Sequence, residues 1–227
     1  MQPAMPAPSP QHHSSLAAVL MAAGAGARMG QRPKSLLELD GVPLICRQVM
    51  ALRQAGVSEL VLVLGHHAKE IEAAVKVLEV SVVINPDPDA GPVSSQRLGL
   101  QSLSGHSDAV LMALADQPLI DAADLRQLVH AFHQREPGYS LLYPSVNGQP
   151  GNPVIFTAGV HTALLASPPE VGCKHWRQAH TSQVQAWDCE TLHFVQDADT
   201  PEDIAALRRS SGRQLQWPAL WQRPGDD

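Results

Sequence analysis

Between residues 16 and 134 the chain repeats one unit four times: a short apolar run, a turn, then a stretch with helical spacing. The apolar runs are Leu16–Met21, Glu59–Leu64, Val80–Ile84 and Ala109–Leu114. The helical stretches between and after them are Pro43–Ala55, Ala68–Leu78, Val93–Leu103 and Ala122–Gln134. Such a repeat has few solutions, because a strand, a crossover and a parallel strand wind right-handed and lay the helix against the sheet. The predicted fold class is therefore α/β, a layered fold with a mostly parallel central sheet. Aromatic residues are only 4% of the chain, so Leu, Val, Ile and Ala must fill the core, which suits helices packed on such a sheet.

The second half is less regular. Ser140–Pro144, Val154–Thr157, Val184–Trp187 and Leu192–Val195 read as strands, and Val160–Ala166 and Lys174–His180 as short helices. Thr200-Pro201-Glu202-Asp203 reads as a helix start, with a capping residue ahead of a proline and acids in the first turn. Residues 1–15, rich in Pro, Ser and His, read as a disordered arm, residues 16–210 as one domain, and residues 211–227 as a tail. Trp217 and Trp221 offer that tail two anchors; without them it would fray.

The formal charge of −6 argues against a nucleic-acid surface, which needs a basic stripe, but not against a phosphorylated small molecule. Three scattered cysteines without a C-x-x-C argue against disulfides and a thiolate metal site, and for a reducing compartment. No apolar run reaches membrane-spanning length and no secretory signal is read at the start. The expected location is cytoplasmic, with no membrane partner.

The chemistry concentrates where the first strand ends. Residues 22–34 read A-A-G-A-G-A-R-M-G-Q-R-P-K. This is neither the P-loop nor the dinucleotide G-x-G-x-x-G pattern. It is a small-residue loop after a buried strand, with Arg28, Arg32 and Lys34 beside it. Backbone amides in such a concavity bind anions and the cations neutralise phosphate; the alternative is a plain structural turn. Asp116 follows the fourth strand, at the sheet end where α/β folds bind ligands, and suits Mg²⁺, an oxygen-loving ion carried with substrate phosphates. Asp197 and Asp199 offer a second carboxylate. A helix cap is the competing role for Asp116, and an Asx cap before Thr200-Pro201 for Asp199. The histidines are scattered without H-E-x-x-H spacing, and Ser94-Ser95 stand in no nucleophile elbow.

Leu20-Met21-Ala22-Ala23-Gly24-x-Gly26-x-Arg28-Met29-Gly30 with Pro33-Lys34 resembles the signature of nucleotidyltransferases. Within these, the chain resembles the molybdenum cofactor cytidylyltransferase and molybdopterin nucleotidyltransferase-like group. Gly65-His66, Asn85-Pro86 through Gly91-x-x-Ser94-Ser95, Ala115-Asp116-Gln117-Pro118, Gly151-Asn152-Pro153-x-x-Phe156 and Asp199-Thr200-Pro201-Glu202-Asp203 agree with it. The resemblance implies a single three-layer Rossmann-like domain of the nucleotide-diphospho-sugar transferase type. It implies Mg²⁺-dependent transfer of a nucleoside monophosphate to the phosphate of molybdopterin, with release of pyrophosphate. The Ala-Ala-Gly opening resembles cytidylyl rather than guanylyl enzymes, which favours CTP.

By the same resemblance, Arg28, Lys34 and Asp116 are catalytic, and Asp116 and Asp199 hold the metal. Ala22, Ala23, Gly24, Gly26, Arg28, Lys34, Gly65, Asn85 and Ser95 bind the nucleotide. A transient contact with a molybdoenzyme or its chaperone is the implied macromolecular partner. The family commonly carries an aspartate-containing segment where this chain reads Val171-Gly172-Cys173-Lys174-His175-Trp176, so the acceptor side departs from the pattern. A sugar- or polyol-phosphate nucleotidyltransferase and a non-catalytic nucleotide-binding accessory protein remain the alternatives.

Overall fold

The structure, a computed structural model, describes residues 15–226; the predicted N-terminal arm lies outside them except for Ser15, whose N–H donates to Asp108 Oδ2 at 2.7 Å. Four strand–helix units generate the first half: β1 (Leu16–Ala22), α1 (Leu44–Gln54), β4 (Val57–Leu64), α2 (Ala68–Val75), β5 (Ser81–Ile84), α3 (Pro92–Gln101), β6 (Ala109–Leu114) and α4 (Ala122–His133). Two short strands, β2 (Glu38–Leu39) and β3 (Val42–Pro43), interrupt the first crossover. The second half adds β7 (Leu141–Val146), β8 (Gln149–Pro150), β9 (Val154–Thr157), α5 (Ala158–Ala166), α6 (Cys173–Ala179), β10 (Val184–Asp188), α7 (Pro201–Ser211) and β11 (Leu215–Gln216).

The main sheet runs β10-β7-β9-β6-β1-β4-β5, with β8 paired to β7. β1 is parallel to both β4 and β6, while β9 inserts antiparallel between β6 and β7. The predicted α/β fold with a mostly parallel central sheet is what forms.

Alternation along the central strands explains the layers. Ala18, Leu20, Leu62 and Leu111 face one side and meet Ile45, Val49, Leu125 and Leu128 of α1 and α4. Ala17, Val19, Val61, Val63 and Val110 face the other and meet Leu100, Leu164 and Trp176 of α3, α5 and α6. Strands covered on both faces can be continuous apolar runs, which is how they read in sequence. Helix α3 sits close to the sheet because Gly99 has no side chain: a Cβ there would lie 2.4 Å from a Val19 methyl.

One expectation needs correction. Leu192–Val195 is a 3₁₀ turn, not a strand. Phe194 is wholly buried, and its carbonyl is taken by the backbone N–H of Asn152 (2.9 Å) and by Gln117 Nε2 (3.1 Å), so a single apolar anchor stands where alternation suggested a ladder. Of the two outcomes expected for the tail, anchored by Trp217 and Trp221 or frayed, residues after 211 take the first. β11 pairs antiparallel with β2, and Leu215 and Trp217 pack with Met29, Leu37, Leu44, Ile204 and Leu207 in a third core beside the main sheet.

Candidate active site

β1 lies between β4 and β6, and the strand order reverses there. From β1 the chain runs on toward the β4 and β5 edge of the sheet and from β6 toward the β7 edge, with α1 and α4 on the same face, and a crevice opens at the carboxyl ends of the two strands. A cavity of about 300 Å³ fills it. Ala22, Ala23 and Gly24 line it from β1, and Leu114, Ala115 and Asp116 from β6. Lys34 comes from the loop, and Gly91, Ser95 and Gln96 from the start of α3.

The loop after β1 folds on itself. Gly26 O accepts the N–H groups of Met29 (2.9 Å) and Gln31 (3.0 Å) across a single 3₁₀ turn, Ala27–Met29. Gly26 has φ 64°, and a Cβ on it would stand 1.9 Å from the Arg32 carbonyl oxygen. Both backbone sign and space therefore require glycine. Gly26 shapes the loop rather than lining the cavity.

Charge converges at the rim. The Lys34 ammonium donates to Asp116 Oδ2 at 2.6 Å and also to Asp199 Oδ1, and Arg28 donates to the other oxygen of Asp199. Burial opposes the Lys34 charge, but the two carboxylates outweigh it and raise its pKa. Burial likewise opposes charge on Asp199, and Lys34 and Arg28 outweigh it, holding Asp199 below the usual carboxylate range. Asp197 forms no ion pair among the described residues. Burial, then the neighbouring charges of Asp116 and Asp199, push it up to about 6 against the opposing pull of Gln117 and Lys34, and its Oδ1 is buried without a hydrogen-bond partner among those residues.

The capping alternatives fall away. Helix α4 is capped by Asp121 and α7 by Thr200 in a capping box with Asp203, which leaves Asp116 and Asp199 facing Lys34. Asp116 is held by its backbone, whose carbonyl accepts the N–H of Ala198 at 2.8 Å. That bond joins the two loops that carry the acids.

Other sequence candidates sit one step back. Asn85 is buried and donates to Ser94 Oγ (2.9 Å) and Ser95 Oγ (2.8 Å), and its Oδ1 accepts from Asp87 N–H (3.0 Å); it clamps the loop to α3. Gly65 packs on the Ala23 carbonyl, 2.8 Å from where a Cβ would be, and so supports the cavity wall from behind. Arg32, grouped in sequence with the phosphate-binding cations, is instead buried against Trp217 and paired with Asp226. Sequence reasoning gave Gln96 no role. It lines the cavity while its Oε1 accepts the Cys173 N–H at 3.1 Å, so the unusual 171–176 segment braces one wall. Burial pushes the Cys173 thiol up to about 12, which removes it as a nucleophile.

Among the described residues no group of three or more His, Cys, Asp or Glu side chains is arranged to hold a metal. Asp116 and Asp199 nonetheless share one cation, the Lys34 ammonium, with the unpartnered Asp197 oxygen nearby in charge. Two carboxylates that leave the remaining positions to water and substrate phosphate fit Mg²⁺ better than an all-protein cage would.

This architecture is that of a nucleotidyltransferase. A nucleotidyl transferase from Methanothermobacter thermautotroptrophicus is 25% identical and superposes with a TM-score of 0.70, covering 86% of this chain and 97% of its own. Rv0371c from Mycobacterium tuberculosis in complex with manganese is also 25% identical, with a TM-score of 0.66 over 87% of this chain and 100% of that one. The chain belongs to the MobA-like NTP transferase domain family, whose model matches residues 18–184. Among curated relatives, nicotine blue oxidoreductase from Paenarthrobacter nicotinovorans is 28% identical over 194 residues, 83% of this chain and 94% of that protein. The bifunctional protein GlmU from Clavibacter sepedonicus is 32% identical over 183 residues, 78% of this chain, which spans only 37% of its length. No helix among the described residues is long and apolar enough to cross a membrane.

Proposed function

We propose that the protein transfers CMP from CTP to the phosphate of molybdopterin in the cytoplasm, releasing pyrophosphate. The observation that carries the reading is the meeting of Lys34, Asp116 and Asp199 at the mouth of the β1/β6 crevice. Cations that can turn to polyphosphate and acids that can turn to a divalent ion are interleaved there. The M. tuberculosis structure with manganese supports a divalent ion in this fold.

Nucleotidyl transfer asks little of acid–base chemistry. An acceptor phosphate oxygen, already anionic, forms a bond to the α-phosphorus, and the bond to the bridging oxygen breaks with its electrons leaving on pyrophosphate. Positioning and charge neutralisation carry the rate. In this reading the Ala22–Gly24 backbone and Ser95 seat the nucleoside end, and Lys34 and Arg28 neutralise the leaving pyrophosphate. Asp116 and Asp199 would hold Mg²⁺. Bound there, the ion would supply Lewis-acid neutralisation of phosphate oxygens.

A second reading keeps the chemistry and changes the acceptor to a sugar or polyol phosphate. The Val171–Trp176 segment favours it, since that departure stands against Gln96 in the cavity wall. The deciding experiment offers CTP, GTP, UTP and ATP with molybdopterin and with sugar and polyol phosphates, and reads pyrophosphate and product mass. A cytidylylated molybdopterin is the expected product. No pyrophosphate with any pair would overturn both readings and leave a nucleotide-binding or other role, the oxidoreductase named among the relatives included.

A further inference from the structure

The loop between β1 and β2 is tied from outside by the chain's final described elements, beyond the span of the family match. Arg32 is only 5% exposed. Its Nε donates to Met29 O (2.8 Å) inside the loop, and its Nη1 to Trp221 O (3.0 Å) in the tail. The same guanidinium forks onto Asp226 at 2.6 and 3.1 Å and lies 4.1 Å over the Trp217 ring. Arg223 adds a second tie, from Nη2 to Gly30 O at 3.0 Å, and its own N–H holds Asp226 at 2.7 Å. Trp221 meets the His67 ring edge-on at 5.7 Å, and His67 Nε2 lies 3.3 Å from Ala25 O.

The carbonyls of Ala25, Met29 and Gly30 are thus all engaged on the tail side, directly or through His67. A trans peptide sets its C=O and the following N–H on opposite sides. Fixing the Ala25 carbonyl outward therefore turns the Gly26 N–H away from the brace. A tail that only added stability would need no more than Trp217 in the third core. Here a desolvated guanidinium is spent on loop and tail polar atoms together, and a bidentate carboxylate fixes its plane. The Arg32 hydrogen bonds hold Asp226 below the usual carboxylate range, so the pair is charged at neutral pH.

We propose that Trp217–Asp226 is a brace for the triphosphate loop and that Arg32 is the positioning residue through which it sets affinity for the triphosphate. This rests on the reading of the loop as the polyphosphate grip.

The test compares Asp226→Asn and Asp226→Glu in the full chain, by hydrogen exchange of amides 24–31 and by steady-state kinetics. In Asp226→Asn, exchange across 24–31 should rise about tenfold while β1 and α4 stay unchanged. The KM for triphosphate should rise about 3- to 10-fold with kcat within about twofold, since loop geometry affects binding before chemistry. Asp226→Glu, which keeps a carboxylate for the fork, should restore most of both. Unchanged loop exchange, a rise spread over the whole chain, or Glu behaving like Asn would overturn the brace. The exchange measurement needs no substrate, so a wild-type chain that releases no pyrophosphate would sink the functional reading while the brace is still decided.

Discussion

Replacing Lys34 with Met tests the charge cluster most directly. The substitution keeps the stem and removes the ammonium, so Asp116 and Asp199 lose their shared cation and only Arg28, whose side chain is 67% exposed, remains beside Asp199. Removing one partner of a fully buried pair costs about 3–5 kcal/mol, and of an exposed pair about 0–1 kcal/mol. The Lys34, Asp116 and Asp199 side chains are 18%, 24% and 27% exposed, nearer the buried limit. A loss of about 2–3 kcal/mol follows, or a drop of about 4–12 °C in Tm for a chain this long.

The pH dependence has a definite sign. Lys34 has a raised folded pKa, so its contribution is fully present below the unfolded lysine value and lost as pH rises through the folded one. Asp199 has a lowered folded pKa, so its contribution is present above the unfolded carboxylate value and lost as pH falls through the folded one. The gap between wild type and Lys34→Met should therefore be widest between about pH 5 and 9 and shrink below about pH 4. Thermal melts in low salt across that range read it. The variant still presents both carboxylates, so Mn²⁺ without nucleotide should raise its Tm more than that of the wild type, where the ammonium competes for the same oxygens. A variant melting within about 1 °C of wild type at pH 7, or a Mn²⁺ response no larger than the wild type's, would refute the shared-cation argument.

Asp116→Asn should keep the fold by circular dichroism but lose about 10²-fold or more in pyrophosphate release under saturating CTP and Mg²⁺; equal rates would remove Asp116 from the chemistry. Asp197→Asn should be stabilising at high pH. A folded pKa of about 6 means that Asp197's contribution is present below the unfolded carboxylate value and is lost as pH rises through 6. An uncharged amide should therefore gain about 1–3 kcal/mol at pH 8 and little at pH 4, checked by denaturant melts at the two values. Gly26→Ala should fail on two counts, the positive φ and the 1.9 Å approach to the Arg32 carbonyl. A loss of about 2 kcal/mol or more and a raised KM for triphosphate are expected, and a wild-type melt would contradict the loop geometry.

The central strands were legible because burial on both faces writes itself as unbroken apolar runs, and the helices because their apolar spacing is local, with Asp121 capping α4. Leu192–Val195 misled because four apolar-rich residues read the same whether a ladder or one deep anchor such as Phe194 uses them. Trp217 was legible as an anchor, whereas its partner Arg32 was not. An arginine beside a glycine loop reads as a phosphate ligand until its acid, Asp226, is found 194 positions away.

The same asymmetry explains what could be read of the site. Which residues reach the crevice follows from strand ends, so Ala22 to Gly24 and Asp116 follow from the order of strands and from the rule that ligands sit at their carboxyl ends. Which charge meets which does not follow, because Lys34 is separated by 82 and 165 positions from the acids it joins. Asp199 shows the consequence. Its local sequence suits a helix cap, and only the neighbouring Thr200, which takes that role with Asp203, frees it for Lys34 and Arg28. Local rules assign a residue to a position, and the long-range charge balance then assigns the work. Asp116 and Asp199, with the Asp197 charge coupled to them, outnumber Lys34 and Arg28, so a bare polyphosphate would meet repulsion there. Binding becomes favourable only when the phosphate charge arrives with a divalent counter-charge, so triphosphate affinity should depend steeply on the divalent ion, and a titration in chelator that left it unchanged would contradict this balance.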